Sequence, residues 1–225
     1  MEQLRLNKFL AERLGVSRRE ADTLIASGQI LVDDKPAIIG ARIDKSSKVC
    51  YNNKIIPFAA EYLYLMLNKP VGYVCSRASQ GGAATVYELL PAKYQKLKTV
   101  GRLDKDSSGL ILLTNDGDFA FTMTHPKFRK NKVYEVRLSR PLEPLHQQMI
   151  TDYGVLLDDG ASQFKIIRLQ EEPQQYLVIL SEGRNRQIRR TFAALGYRVT
   201  YLHRISFGPY ELGDLKEGEF REFDK

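Results

Sequence analysis

The stretch GRLDKDSSGLILLTND, Gly101 to Asp116, sets two carboxylates beside a basic residue and just ahead of an apolar run. Asp104, Asp106, Ser108 and Gly109 occupy the first, third, fifth and sixth places of a calcium-binding loop, D-x-D-x-[DNS]-G. Such a loop needs a bidentate acid at its twelfth place, and that place here is Asn115. It also needs flanking helices, whereas Leu110 to Leu113 is a strand signal. A pair of acids could serve general acid–base or nucleophilic chemistry, or simply cap a turn. Arg102 lies two residues before Asp104, so the two side chains share a face if the segment is extended. A second basic cluster, EGRNRQIRR (Glu182 to Arg190), places Arg186 and Arg190 four apart on a helix, with Arg184 and Arg189 extending it. Three roles fit that cluster: a solvated face, a phosphate clamp, or the partner of a buried carboxylate. No H-E-x-x-H occurs, and His125, His146 and His203 show no ligand spacing, so no metal is expected.

The surrounding pattern predicts two units. In the first, Leu6, Phe9, Leu10 and Leu14 recur at helical spacing and Gly15 stops the helix. Ser17 and Glu20 form the S-x-x-E of a capping box, opening a second helix that buries Ala21, Leu24 and Ile25 and stops at Gly28. QILVDDKPA reads as a strand entering a turn. Arg5, Lys8, Arg18 and Arg19 fall off the apolar stripes and point outward. Ile55 to Tyr62 reads as a linker. Beyond it come a strand over 62–67, a turn at Lys69 to Gly72, a short helix over 86–94, and the strand GLILL running into an Asn-Asp-Gly turn. Asp118 caps a helix that stops at Pro126. Tyr134, Val136 and Leu138 share one face of a strand. A helix over 144–153 ends at Gly154, and a strand–loop–helix–strand passage follows from Gln175. Strands and helices mix without a regular βαβ alternation. The fold class is therefore α+β: a small helical/β domain over 1–58, then a mixed, largely antiparallel sheet with flanking helices over 59–225.

Composition narrows the function. The 225 residues are 43% hydrophobic and 27% charged, which suits packed domains and not a disordered chain. No apolar run approaches the ~18 residues of a membrane span. The start, MEQLRLNKF, lacks the apolar core of a secretory signal, so a cytoplasmic location and no membrane partner are expected. Cys50 and Cys75 are too few and too far apart for a disulfide framework. The net charge of +7 suggests an anionic partner, usually nucleic acid. Residues 1–60 carry +3 of it, making the smaller unit the more basic per residue.

Two resemblances sharpen this. Residues 3–50 resemble the small RNA-binding domain first described in ribosomal protein S-four, which presents basic residues to structured RNA. GRLDKDSSGLILLTNDG looks like the catalytic motif of the RsuA/RluB-type pseudouridine synthases, which isomerise uridine within RNA. LNKPVGYVCS (Leu67 to Ser76), KVYEVRL (Lys132 to Leu138) and EGRNRQIRR match further motifs of that family in the right order. One departure is Thr191, where the family often has methionine against the pocket.

The resemblance implies an rRNA pseudouridine synthase that acts on a flipped-out uridine, without cofactor, usually as a monomer. It implies that Asp104 is the essential acid, as nucleophile or as base. Tyr134 would cover the target base and Arg189 would pair with Asp104. Arg102 would fill the gap left by the flipped base. Arg184 and Arg186 would contact phosphates, with Arg5, Lys8, Arg18 and Arg19 adding RNA contacts from the first domain. Lys69, Pro70 and Leu110 would shape the pocket, and Asp106 would be structural.

Overall fold

The computed structural model describes residues 3–59, 61–169 and 172–225. The chain forms two compact units. One comprises residues 1–63 with 115–117, the other residues 64–114 with 118–225.

The first unit follows its sequence pattern closely. Helix α1 (Leu6–Leu14) ends at Gly15, whose φ of 72° supplies the left-handed turn that a side chain would resist. Helix α2 (Arg18–Ala26) opens on the expected capping box: the Glu20 N–H donates to Ser17 Oγ at 3.1 Å. Two hairpins build a four-stranded sheet, Ile30–Val32 with Lys35–Pro36 and Val49–Tyr51 with Lys54–Ile55. Their tight turns are Asp33-Asp34 and Asn52-Asn53, all at positive φ, where Asn and Asp are the side chains best tolerated. Leu6, Phe9, Leu10, Ala21, Ile25, Ile30, Ile43, Val49 and Ile56 form the core. Leu24, expected inside, is only partly buried.

Within the span 55–62, expected to be a linker, Ile55, Ile56 and Phe58 are parts of the first unit. Ile55 belongs to a strand and Ile56 to the core. Phe58 packs on Phe9 with ring centroids 4.6 Å apart, and its carbonyl accepts a hydrogen bond from Arg13 at 2.5 Å. The boundary expected after residue 58 therefore falls inside the first unit, because these apolar side chains complete its core. Ala60 lies outside the described residues.

The second unit is built on one mixed sheet. Its main path runs Lys165–Arg168, Gln175–Leu180, Lys132–Leu138, Val199–Phe207, Ser108–Thr114, Tyr64–Lys69, Phe220–Glu222. Neighbours are antiparallel except Val199–Phe207 against Ser108–Thr114, which are parallel. Lys98–Val100 pairs with the far half of Ser108–Thr114. All seven residues of that strand are buried, as its apolar run requires. Helices α3 (Gly117–Thr124), α4 (Pro144–Gln148) and α5 (Gln187–Ala194) flank it.

Two expected helices differ. Residues 86–94 form separate 3-10 turns, Val86–Leu89 and Ala92–Tyr94, because Pro91 between them cannot donate a helical hydrogen bond. The 144–153 helix widens to π turns over Met149–Tyr153 before Gly154. No helix among the described residues is long and apolar enough to cross a membrane.

Candidate active site

The Asp104 loop joins the strands Lys98–Val100 and Ser108–Thr114, and it is strapped from behind. Lys69, fully buried, donates from Nζ to the carbonyls of Ser107 at 2.6 Å and Pro70 at 2.8 Å. The Gly72 N–H donates to Lys105 O at 2.7 Å. Burial pushes the Lys69 ammonium below its usual range, while Cys75, Asp104 and Asp106 oppose that shift. Lys69 and Pro70, expected on the pocket rim, thus hold the loop rather than line the pocket. Leu110, also expected there, is fully buried in the sheet behind it.

In front of the loop is a pocket of about 350 Å³, within the size range of small-molecule sites. Asp104 and Arg102 border it from the loop, and Tyr134 from the strand Lys132–Leu138. Tyr134 is 9% exposed, and the Asp104 side chain 36%. Arg102 is exposed and forms no ion pair among the described residues. The opposite wall is the segment Leu180 to Ile188, which carries Glu182, Arg184 and Arg186. Lys132, Arg204 and Phe207 complete the lining.

The arginine cluster is divided differently from its expected roles. Arg186, at φ 46° ahead of α5, donates to both carboxylate oxygens of Asp106 at 2.9 and 2.7 Å. Its Nη1 stands 3.6 Å from Asp104. Hydrogen bonding from Arg186 holds the Asp106 carboxyl below its usual value, and Arg186 is raised in turn. Arg189, expected on Asp104, donates instead to Asp106 O at 2.7 Å and Val199 O at 2.9 Å, with Nε 3.3 Å from the Asp106 carboxylate. Burial pushes Arg189 down, and the Asp106 charge opposes it. Asp106 is therefore the anchor that fixes the loop to α5, and Arg186 is the arginine beside Asp104.

Arg184, expected to reach phosphates, turns inward. It bonds the carbonyls of Asp159, Gly160 and Ala161 and the carboxylate of Asp159 at 2.9 Å, pinning the Val155–Leu157/Gly160–Ser162 ribbon. Arg190 pairs with Asp158 and Asp159. Thr191 does not touch the pocket; it is fully buried and bonds Ser162 Oγ at 2.7 Å, so its difference from methionine is absorbed behind the helix.

In the first unit Arg5, Arg18 and Arg19 are exposed and Lys8 is partly so. Arg18 donates to Asn7 at 3.1 Å.

Sequence reasoning missed Lys132 and Arg204. Lys132 lies two residues before Tyr134 in the same strand, so period-two alternation already placed it on the Tyr134 face. Burial and the nearby Arg204 charge push its ammonium down to about 8. Arg204 is 2% exposed, with its guanidinium 4.9 Å from the Phe207 ring and 6.0 Å from the Tyr134 ring. Among the described residues no group of three His, Cys, Asp or Glu side chains could hold a metal ion.

Comparison with known proteins accords with this geometry. Residues 63–194 match the model of the RNA pseudouridylate synthase family, and residues 4–44 match the S4 domain. Ribosomal small subunit pseudouridine synthase A of Pasteurella multocida is 37% identical over 97% of this chain and 95% of its own. Ribosomal large subunit pseudouridine synthase B of Bacillus subtilis is 33% identical over 97% of this chain and 91% of its own. The crystal structure of a pseudouridylate synthase superposes with a TM-score of 0.70 at 33% identity, covering 98% of this chain and 96% of that one. With an acid and a tyrosine converging on one pocket and a family match over most of the chain, the protein belongs to the RNA pseudouridylate synthase family.

Proposed function

We propose that this enzyme converts a specific uridine of ribosomal RNA to pseudouridine, with Asp104 as the essential acid. The observation that carries the reading is the meeting of the Asp104 carboxylate and the Tyr134 ring in one pocket bordered by basic side chains. A uridine stacked in RNA cannot enter such a pocket, so it must be flipped out, at a cost of a few kcal/mol.

In this reading Asp104 acts on the sugar, either by attacking C1′ or by removing the C2′ proton, while the N1–C1′ bond opens. Arg186, 3.6 Å from Asp104, orients its carboxylate in the pocket. Arg189 positions the loop through Asp106. Tyr134 covers the ring and is placed to assist the C5 proton. Arg102, exposed at the pocket edge, takes the place vacated by the flipped base and stacks on its neighbours. The isomerisation neither oxidises nor hydrolyses the nucleoside, so its balance requires no cofactor. The basic first unit supplies sequence-independent RNA affinity. The enzyme works as a monomer in the cytoplasm.

The test has two arms. Pseudouridines are mapped across the rRNA of both ribosomal subunits in cells with and without the protein, and one position should be lost with it. The purified protein should release tritium from RNA of that sequence containing 5-tritiated uridine. Unchanged maps together with no tritium release would overturn the reading.

A further inference from the structure

The strands Lys132–Leu138 and Val199–Phe207 shift register twice, between Arg137 and Leu138 at one end and between Val133 and Tyr134 beside the pocket. Lys132 faces Phe207 and Val133 faces Ser206, but Tyr134 faces Arg204. Ile205 is the extra residue of a β-bulge. Strict alternation would send Arg204 and Phe207 to opposite sides of the sheet. The bulge brings both to the pocket, on the side that carries Lys132 and Tyr134. The other neighbour makes room as well: Arg204 pairs in parallel with Gly109, at φ 103°. A Cβ there would lie 2.9 Å from Arg204 C and closer still to its N and O.

This aimed guanidinium is incompletely used by the protein. Nε donates to Leu110 O at 2.7 Å, which fixes the plane. Nη2 is buried and has no hydrogen-bond partner among the described residues. A buried charged donor left in that state costs more than the roughly 1–3 kcal/mol of a neutral one, which packing alone gives no reason to bear. Lys132 Nζ lies 5.1 Å from the Phe207 ring that Arg204 also overlies. Its hydrogen-bond partners among the described residues are the carbonyls of Lys130 at 3.2 Å and Glu182 at 3.4 Å. The Glu182 carboxylate is engaged by Arg184 and Gln187. Two desolvated cations thus share one wall, and among the described residues no carboxylate is bonded to either.

Resting on the reading that this pocket receives the flipped uridine, we propose that Arg204, with Lys132 beside it, binds the uracil carbonyl oxygens and stabilises the negative charge the ring acquires as the N1–C1′ bond opens. The electron balance calls for such a group on either route. The bonding pair leaves with N1, making the ring an anion delocalised over O2 and O4. C1′ is satisfied by a bond to the Asp104 carboxylate, or by the electron pair of the C2′–H bond as that proton passes to Asp104. After the ring turns, C5 donates the pair that forms the C5–C1′ bond. Meanwhile the C1′–Asp104 bond breaks and its pair returns to the carboxylate or, on the other route, the C1′=C2′ pair takes the proton back from Asp104 at C2′. The C5 proton then leaves to a base, and N1 gains one. Preorganised donors aimed at charge that develops only in the transition state act on the rate more than on binding.

Arg204→Met should therefore lower the single-turnover rate on uridine RNA by about a hundredfold to a thousandfold. RNA affinity should be nearly unchanged. The decisive comparison uses the same RNA with 5-fluorouridine at the target, followed by loss of that nucleoside from nuclease digests. Fluorine makes the ring a better leaving anion, so the deficit of the variant should shrink. Equal deficits on both RNAs, or a wild-type rate on uridine RNA, would overturn the proposal. If Arg204→Met does not fold, Arg204→Lys keeps the charge and should show a smaller deficit that shrinks in the same way. Asp104→Asn separates the two layers: turnover by wild type that Asp104→Asn abolishes, with no selective effect at Arg204, refutes this inference and leaves the proposed reaction standing. An inactive wild type refutes both.

Discussion

Arg186 holds Asp106 through two parallel hydrogen bonds of 2.9 and 2.7 Å. The pairing separates two chemically similar acids. Asp106 is bound into a structural clamp, whereas Asp104 borders the pocket with Arg186 3.6 Å away. Asp104→Asn should keep the fold and RNA binding but abolish tritium release, since an amide is neither nucleophile nor base. Asp106→Asn should keep part of the turnover and lose about 1 kcal/mol of stability, read from the urea midpoint, because the pair is half exposed. Its depressed pKa fixes the sign with pH. The clamp's contribution is present above the unfolded carboxylate value of 3.8 and is lost as pH falls through the lower folded value. Robust release by Asp104→Asn would move the essential acid elsewhere.

Lys132 predicts an alkaline limit. Its ammonium is pushed from 10.5 down to about 8, so its charge disappears as pH rises through that value. Arg204, Glu182, Arg184, Arg186, Tyr134 and Asp104 line the same pocket. The single-turnover rate should fall with an apparent pKa near 8, and Lys132→Arg should move that limb upward. Stability should run the other way. Between about 8 and 10.5 the unfolded chain binds the extra proton, so raising pH across that window favours the folded state. An unshifted limb in Lys132→Arg would assign it to another group.

The sequence made these features legible to different degrees. The capping box of α2, the stop at Gly15 and the buried Ser108–Thr114 strand were readable because each depends on neighbours within a few residues. The motifs singled out Asp104 and Tyr134, and both border the pocket. The exchange of partners between Arg186 and Arg189 was not legible, since it depends on how the start of α5 meets a loop some eighty residues earlier. Arg204 was hidden for a sharper reason. Its facing depends on a bulge at Ile205, and no local pattern announces one; alternation from Phe207 points the side chain the wrong way. The span 55–62 misled because turn-like residues there conceal Ile56 and Phe58, whose burial is decided by the core they complete.

Gly109 carries a backbone prediction. Its φ of 103° and the close approach of the Arg204 backbone leave no space for a methyl group. Gly109→Ala should cost about 3 kcal/mol or more, combining overpacking with an unfavourable φ. Activity should fall further than unfolding alone explains, because the same shift displaces Arg204 and the strand that follows the Asp104 loop. Denaturant unfolding and tritium release on the folded fraction measure the two effects separately. A variant of wild-type stability would contradict the close approach.

The last prediction concerns affinity. Arg5, Arg18 and Arg19 are exposed, none of them in an ion pair among the described residues. Charge on such side chains contributes little to folding, so changing all three to Gln should leave the melting midpoint almost unmoved. Each phosphate contact they make in a complex releases condensed counterions, worth about 0.7 to 0.9 in the slope of log affinity against log salt. The triple variant should bind RNA more weakly at low salt, and its slope should be shallower by about two to three units. The rate at saturating RNA should stay near wild type, because none of the three borders the pocket. If the slope is unchanged, this face of the first unit does not meet phosphate. If the saturated rate collapses while affinity holds, these arginines serve the chemistry and the division between binding and catalysis is wrong.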